Sequence, residues 1–96
     1  MRLNPGFAAA HVGRGDTLIR LGRLPEAVGH YEAALQLRPE YADAHFNFAT
    51  ALALLRRWPE AIAHYEAGLR LQPDNAMARE NLARLRTLQA AEDNQK

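Results

Sequence analysis

The chain has 96 residues, a formal net charge of +1 at pH 7 and no cysteine. This length allows one domain that buries roughly 60% of the unfolded chain's surface. The charge gives no sign of a nucleic-acid or anionic-membrane partner, and the lack of cysteine excludes a disulfide scaffold. No segment approaches the ~18 apolar residues of a membrane span. Because a cysteine-free chain fits a reducing compartment, we predict a cytoplasmic location.

The N-terminal segment introduces a phrase that recurs. Pro5 ends "RLNP", and the similar phrases "QLRP" and "RLQP" end at Pro39 and Pro73, each 34 residues after the last. We therefore interpret residues 1–7 as the remnant of a preceding unit. The segment lacks a long apolar core, so we expect no signal peptide.

The next two segments predict a pair of helices. Residues 8–21 are helical by register, although Gly13 and Gly15 weaken the helix. In residues 25–37 a proline opens the helix, and apolar residues with i, i+4, i+7, i+8 spacing form one stripe. Pro39 then ends this helix.

The following segments repeat the pair. Residues 42–55 predict a helix with Phe48, Leu52 and Leu55 on one side, and residues 59–71 repeat the stripe of residues 25–37, with Gly68 indicating a close helix contact. A fixed period of this length is typical of stacked helical units. The residues that recur include Arg23, Pro25, Glu26, Ala27, His30, Tyr31, Leu35 and Leu37, which return as Arg57, Pro59, Glu60, Ala61, His64, Tyr65, Leu69 and Leu71.

The last segment predicts a capping helix over residues 76–90. Asp74 or Asn75 would cap it, and Ala78, Leu82 and Leu85 give it a partly apolar face. Residues 91–96 carry no pattern, so we expect a disordered tail.

Together these residues resemble the tetratricopeptide repeat family. The motif is a helix–turn–helix of this period with small and aromatic residues at set places and a proline near the end. Repeat 1 would span residues 8–41 and repeat 2 residues 42–75. The resemblance implies an all-α fold, a right-handed superhelix of stacked antiparallel helix pairs (an α-solenoid) with about five helices.

The resemblance also implies a binding groove. The first helix of each pair lines the concave wall, which in this family binds peptides or partner segments. The groove residues it implies are Val12, Asp16, Ile19, Arg20, Asp43, Phe46, Asn47, Thr50, Leu54, Met77, Asn81 and Arg84.

Two kinds of groove in this family hold a peptide with defined side chains. A subfamily holds the carboxylate end of chaperone peptides with lysine, arginine and asparagine; Val12, Asp16 and Phe46 stand at the matching positions, so we expect no such clamp. Asn47 and Asn81 stand one unit apart, like the asparagine ladder in the repeats of O-linked N-acetylglucosamine transferases, which holds a peptide backbone.

Other chemistry finds little support. His11, His30, His45 and His64 form two matched pairs, but equivalent residues of stacked units lie about 10 Å apart, too far for one metal ion. The arginines are dispersed among acidic residues, which predicts solvated faces and no nucleic-acid partner. No catalytic motif is present. We therefore predict a non-catalytic protein-interaction module with no metal and no cofactor.

Two alternatives stay open. Helical repeats with an uncapped end pack on other copies, so the chain could be a self-associating structural module and a homo-oligomer. It could also be a regulatory repeat segment of a larger enzyme such as a glycosyltransferase, whose catalytic residues would lie elsewhere.

Overall fold

A computed structural model describes residues 5–95 as an all-α fold without a strand. The five helices are α1 (Pro5–Arg20), α2 (Leu24–Leu37), α3 (Ala42–Leu54), α4 (Trp58–Leu71) and α5 (Ala76–Asp93). Each helix packs on the next one along the chain, and α1 also contacts α3. Two stacked helical hairpins, α1–α2 and α3–α4, are thus followed by a single helix. The predicted solenoid of helix pairs is confirmed.

The two hairpin turns share one geometry. After α1, Gly22 has a φ of 76°, and Arg23 N–H donates to Leu18 O at 2.8 Å. After α3, Arg56 has a φ of 61°, and Arg57 N–H donates to Leu52 O at 2.9 Å. This is the Schellman ending, in which a left-handed residue lets the chain satisfy the last carbonyls of the helix. The same turn therefore reverses the chain twice, once with glycine and once with arginine.

Prolines and a capping side chain mark the N-termini of α2, α4 and α5. Pro25 and Pro59 are the second residues of their helices, where an N–H would have no partner within the helix and its absence has no cost. Arg57 bridges to Glu60 in the first turn of α4, with Nε and Oε1 2.8 Å apart. At α5 the N-cap is Asn75, whose Oδ1 accepts from Ala78 N–H at 3.0 Å. Of the two predicted caps, Asn75 is therefore the one used.

The core lies between the hairpin layers. Tyr31 is fully buried and Tyr65 is 4% exposed, which confirms both as core aromatics. Phe48 of α3 lies between the hairpins, with its ring centroid 6.0 Å from that of Tyr31 and 4.3 Å from that of His64. The other buried apolar residues are Ala8, Val12, Ala27, Val28, Ala34, Ala42, Ala44, Phe46, Ala49, Ala51, Leu52, Ala61, Ala78, Leu82 and Leu85.

Both chain ends differ from the sequence-based boundaries. Residues 5–7, expected in a remnant of a preceding unit, belong to α1; residues 1–4 lie outside the described part. The capping helix continues to Asp93, beyond the expected end at residue 90. The reason is that residues 90–92 favour helix and Glu92 is held by Trp58, whose Nε1 donates to Glu92 Oε2 at 2.5 Å. The expected disordered tail is thus helical over residues 91–93, and Lys96 lies outside the described part.

Candidate binding groove

One wall of the molecule is lined by α1, α3 and α5, and three adjoining cavities follow it. The charged cavity, of about 350 Å³, is lined by Asp16, Ile19, Arg20, Asn47 and Thr50. The middle cavity, of about 190 Å³, includes Asp43, Phe46, Asn47, Thr50, Met77 and Asn81. The apolar cavity, of about 290 Å³, includes Thr50, Leu54, Trp58, Asn81, Arg84 and Leu88. All predicted groove residues except Val12 line one of these cavities, so the structure brings them together; their role in binding stays a prediction.

Two of the predicted groove residues belong mainly to the core. Val12 is 6% exposed and Phe46 is 8% exposed. Phe46 packs against Tyr65, with ring centroids 6.4 Å apart, and also lines the middle cavity. Register identifies which residues are equivalent but not how deeply they lie; Phe46 is placed against α4, the second helix of its own hairpin, where it meets Tyr65 and Gly68.

Two hydrogen bonds hold Asp16 in the wall of the charged cavity. The hydroxyl of Tyr31 donates to Oδ1 of Asp16, and Asn47 Nδ2 lies 3.4 Å from Oδ2 of the same carboxylate. Burial, and then the bond to Asp16, raise the pKa of the Tyr31 hydroxyl, because phenolate would be both desolvated and next to a negative charge. Asp16 is therefore held between two neutral donors, one from the core and one from the next unit.

The second hairpin repeats this network with different chemistry. Thr50 stands where Asp16 stands in the first unit, and its Oγ1 lies 3.0 Å from the Tyr65 hydroxyl. Because Thr50 Oγ1 also donates to Phe46 O at 3.1 Å, the hydrogen between the two hydroxyls belongs to Tyr65. Asn81 Nδ2 then lies 3.5 Å from the Tyr65 oxygen.

These networks orient the two asparagines of the predicted ladder alike. Asn47 and Asn81 both direct an amide N–H at the wall, so Oδ1 and the second N–H of each remain available to the groove. An acceptor and a donor repeated once per unit match the alternating groups of an extended peptide backbone. The role of Tyr31 and Tyr65 in these networks was not predicted from the sequence. The available signal was that a polar residue, Asp16 or Thr50, precedes each tyrosine by 15 residues.

The groove carries unpaired charge. Within residues 5–95, Asp16, Arg20 and Arg84 form no salt bridge. Asp16 is half-buried, whereas both arginines are exposed. Because water screens the two exposed arginines, Asp16 is the one of the three whose attraction to a ligand charge would be weakened least by solvent.

The four histidines pair within each hairpin. His11 and His30 place their Nδ1 atoms 3.0 Å apart, as do His45 and His64. The ring centroids are 5.3 Å apart in both pairs. This equals the distance between the two nitrogens plus the radius of each ring, so the two Nδ1 atoms lie on the line between the ring centres and point at each other. This is a hydrogen bond sharing one proton, not two lone pairs converging on one ion. No group of three or more metal-binding side chains is assembled in the described part.

Among the described residues, no helix has the length and apolar character needed to cross a bilayer.

The chain is similar to known proteins in both sequence and fold. A family model described as "Tetratricopeptide repeat" matches residues 2–42, 12–76 and 46–94. A solved structure titled "First TPR of Spaghetti (RPAP3) bound to HSP90 peptide SRMEEVD" is similar, with a TM-score of 0.85, 26% identity, and coverage of 92% of this chain and 68% of that one. The NMR structure of the first TPR domain of human RPAP3 has a TM-score of 0.55 at 19% identity, covers 97% of this chain and 100% of that one, and bears on the fold alone. A comparison with curated protein sequences found no match.

Proposed function

The chain belongs to the tetratricopeptide repeat family, and from this premise we propose that it is a non-catalytic interaction module that binds an extended peptide in the groove of α1, α3 and α5. The observation that carries the proposal is the matched orientation of Asn47 and Asn81, which offer backbone-type partners one unit apart. A cytoplasmic location is part of the proposal, and we propose no cofactor.

The relative bound to the HSP90 peptide supports peptide recognition on this fold. Its peptide, SRMEEVD, contains three acidic residues, whereas Asp16 of this chain presents an unpaired carboxylate to the groove. Like charges in one groove disfavour binding. We therefore expect this chain to take a different peptide and to bind SRMEEVD weakly.

The test is selection of a displayed random 12-residue peptide library on the immobilised chain, followed by titration of the enriched peptides. Asn47→Ala and Asn81→Ala should each weaken binding about threefold to tenfold, the cost of one or two hydrogen bonds. Gln36→Ala, which removes an exposed amide outside the groove, is the matched control. If no peptide is enriched, or if both asparagine variants bind like the control, the proposal is wrong. Phe46 is unsuitable for this test because its removal would damage the core.

A second candidate, self-association, is favoured by the outer face of α1. Ala44, Phe48 and Leu52 of α3 are at most 6% exposed, under the cover of the hairpin layers. The residues of α1 at the same register are Ala10, Arg14 and Leu18, of which the first two are exposed and Leu18 is half-buried. Phe7 and Leu21, 60% and 65% exposed, flank them.

We propose a second copy of this chain as the occupant of that face. Arg14 and Glu26 line one cavity there, of about 460 Å³. A two-fold axis through the cavity would bring Arg14 of each copy toward Glu26 of the other, because a two-fold contact uses the same patch twice. Sedimentation equilibrium should detect a dimer at about 100 µM that Leu21→Lys abolishes and the control Leu71→Lys, on another face, retains. A monomer mass at every concentration would contradict it.

A further inference from the structure

The charged cavity and the apolar cavity are one site built twice. Asp16, Arg20 and Asn47 of the first correspond at the repeat interval to Thr50, Leu54 and Asn81 of the second, and the other two lining residues of the charged cavity follow the same interval. The groove therefore holds two equivalent subsites whose chemistry has diverged. Their differences indicate which side chains each accepts.

The charged cavity contains a carboxylate that has no cationic partner among the described residues. Asp16 is its one carboxylate, and its two hydrogen-bond donors, Tyr31 and Asn47, are neutral. Both carboxylate oxygens keep acceptor capacity toward the groove. Arg20 lines the same cavity but is exposed and forms no salt bridge in the described chain, so its charge is screened. A ligand ammonium or guanidinium would supply the missing partner of Asp16.

The apolar cavity has the opposite character. Leu54 and Leu88, 56% and 43% exposed, face it together with the ring of Trp58. The ring is fixed by the bond from Trp58 Nε1 to Glu92, which also anchors the end of α5. An aliphatic or aromatic ligand side chain would cover this surface, each buried methylene contributing to affinity.

The spacing of the subsites sets the register of the ligand. Neighbouring packed helices lie about 10 Å apart, and Asn47 of α3 reaches Asp16 of α1, so the subsites are about one such step apart. An extended chain of the polyproline II type rises about 3.1 Å per residue and completes one turn in about three residues, so side chains three residues apart lie on one face and span the two subsites.

We propose that the groove selects an extended segment with a lysine or arginine over Asp16 and, about three residues away, an aliphatic or aromatic side chain in the apolar cavity. This inference rests on the proposed function and specifies its ligand class.

The experiment is the same library selection on the wild-type chain and on three variants. Asp16→Thr reproduces the Thr50–Tyr65 arrangement of the second hairpin, so it removes the charge while keeping a partner for Tyr31. Arg20→Gln removes the opposing charge, and Arg70→Glu is the control, a charge reversal at an exposed position of α4 outside the three cavities.

The wild-type chain should enrich peptides with a basic residue three positions from an apolar one. Asp16→Thr should lose the basic preference, keep the apolar one and bind the wild-type peptides about twofold to fivefold more weakly, as for one exposed to half-buried charge pair. Arg20→Gln should bind them more tightly, and Arg70→Glu should bind as the wild type does.

Enriched peptides without a basic preference, or equal binding by Asp16→Thr and wild type, would overturn the inference while the proposed function stands. Failure to enrich any peptide would overturn both.

Discussion

Gly68 of α4 lies directly against the ring of Phe46 of α3, so closely that a methyl group on Gly68 would lie 2.6 Å from Cδ1 of Phe46. At the equivalent place in the first hairpin, Ala34 of α2 and Val12 of α1 are both buried. The two hairpins thus fill the same packing position with different pairs of residues. The second hairpin combines a glycine with a phenylalanine, and the first combines an alanine with a valine. Close packing makes each pair a unit, because volume added on one side must be removed on the other.

This relationship predicts non-additive stability changes. Gly68→Ala should destabilise the protein by about 1–3 kcal/mol through overpacking, and Phe46→Val by about 2 kcal/mol through a cavity. The double variant recreates the first hairpin's pair, so its loss should be smaller than the sum of the two by at least about 0.5 kcal/mol. Urea unfolding followed by circular dichroism measures all three. Strict additivity would show that the two residues do not share one packing position.

The two glycines of α1 should respond oppositely to alanine. A methyl group on Gly13 would meet nothing within 4 Å, whereas on Gly15 it would lie 2.7 Å from Cζ of Tyr31. Gly13→Ala should stabilise the chain by up to about 1 kcal/mol through helix propensity. Gly15→Ala gains the same propensity but displaces Tyr31, for a net loss of about 1–2 kcal/mol. Equal unfolding midpoints for the two variants would contradict the close contact.

The two Schellman turns predict a second opposed pair. Gly22→Ala places a methyl group at a φ of 76° with no neighbour within 4 Å, so the cost is purely conformational, about 1 kcal/mol. Arg56→Gly relieves the same conformation, at φ 61°, and loses only an exposed salt bridge to Glu92 at 3.8 Å and a contact with the Trp58 ring. It should raise the melting temperature slightly. A lower value would show that Arg56 contributes more through Glu92 and Trp58 than its backbone conformation costs.

The paired histidines of the second hairpin predict sensitivity to acid. His45 Nε2–H donates to Pro39 O at 2.9 Å, so its neutral Nδ1 accepts the proton of His64 Nδ1. Burial, and then the neighbouring His45, lower the pKa of His64, while Glu60 opposes the shift. The unfolded state then binds more protons below about pH 6.5, so stability is complete above that pH and falls as the pH drops.

The measurement is the urea midpoint between pH 7.5 and 5.5. His64→Gln can still donate to His45 but does not titrate, so it should lose part of this pH dependence. An unchanged pH profile in this variant would assign the acid sensitivity to other groups. The proton NMR titration of His64 in the wild-type chain gives the direction of its pKa shift independently.

The sequence predicted the fold because one signal, the interval from Pro39 to Pro73, fixes both helix type and stacking. The helix caps and ends were less accessible. Asn75 and Asp74 were equally plausible caps, and the extension of α5 depends on Trp58 meeting Glu92, a contact made only after folding.

The repeat register predicted which residues line the groove, but it did not predict which of them are buried. Periodicity identifies equivalent residues, yet the burial of Phe46 depends on how closely Gly68 lets α4 approach α3, which only the folded hairpin shows. The histidine pairs escaped notice because His45 and His64 meet only across the folded hairpin, while register compares His45 with His11.

The tyrosines of the two hairpins reach from the hydrophobic interior to the wall of the groove. Each ring is enclosed, yet each hydroxyl is one hydrogen bond from Asp16 or Thr50. A ligand that contacts Asp16 or Thr50 therefore changes the environment of a rigid tyrosine ring, which absorbs in the near ultraviolet. The near-ultraviolet circular dichroism of the unlabelled chain should act as an intrinsic reporter of occupancy, with Tyr31 sensing the charged subsite and Tyr65 its neighbour.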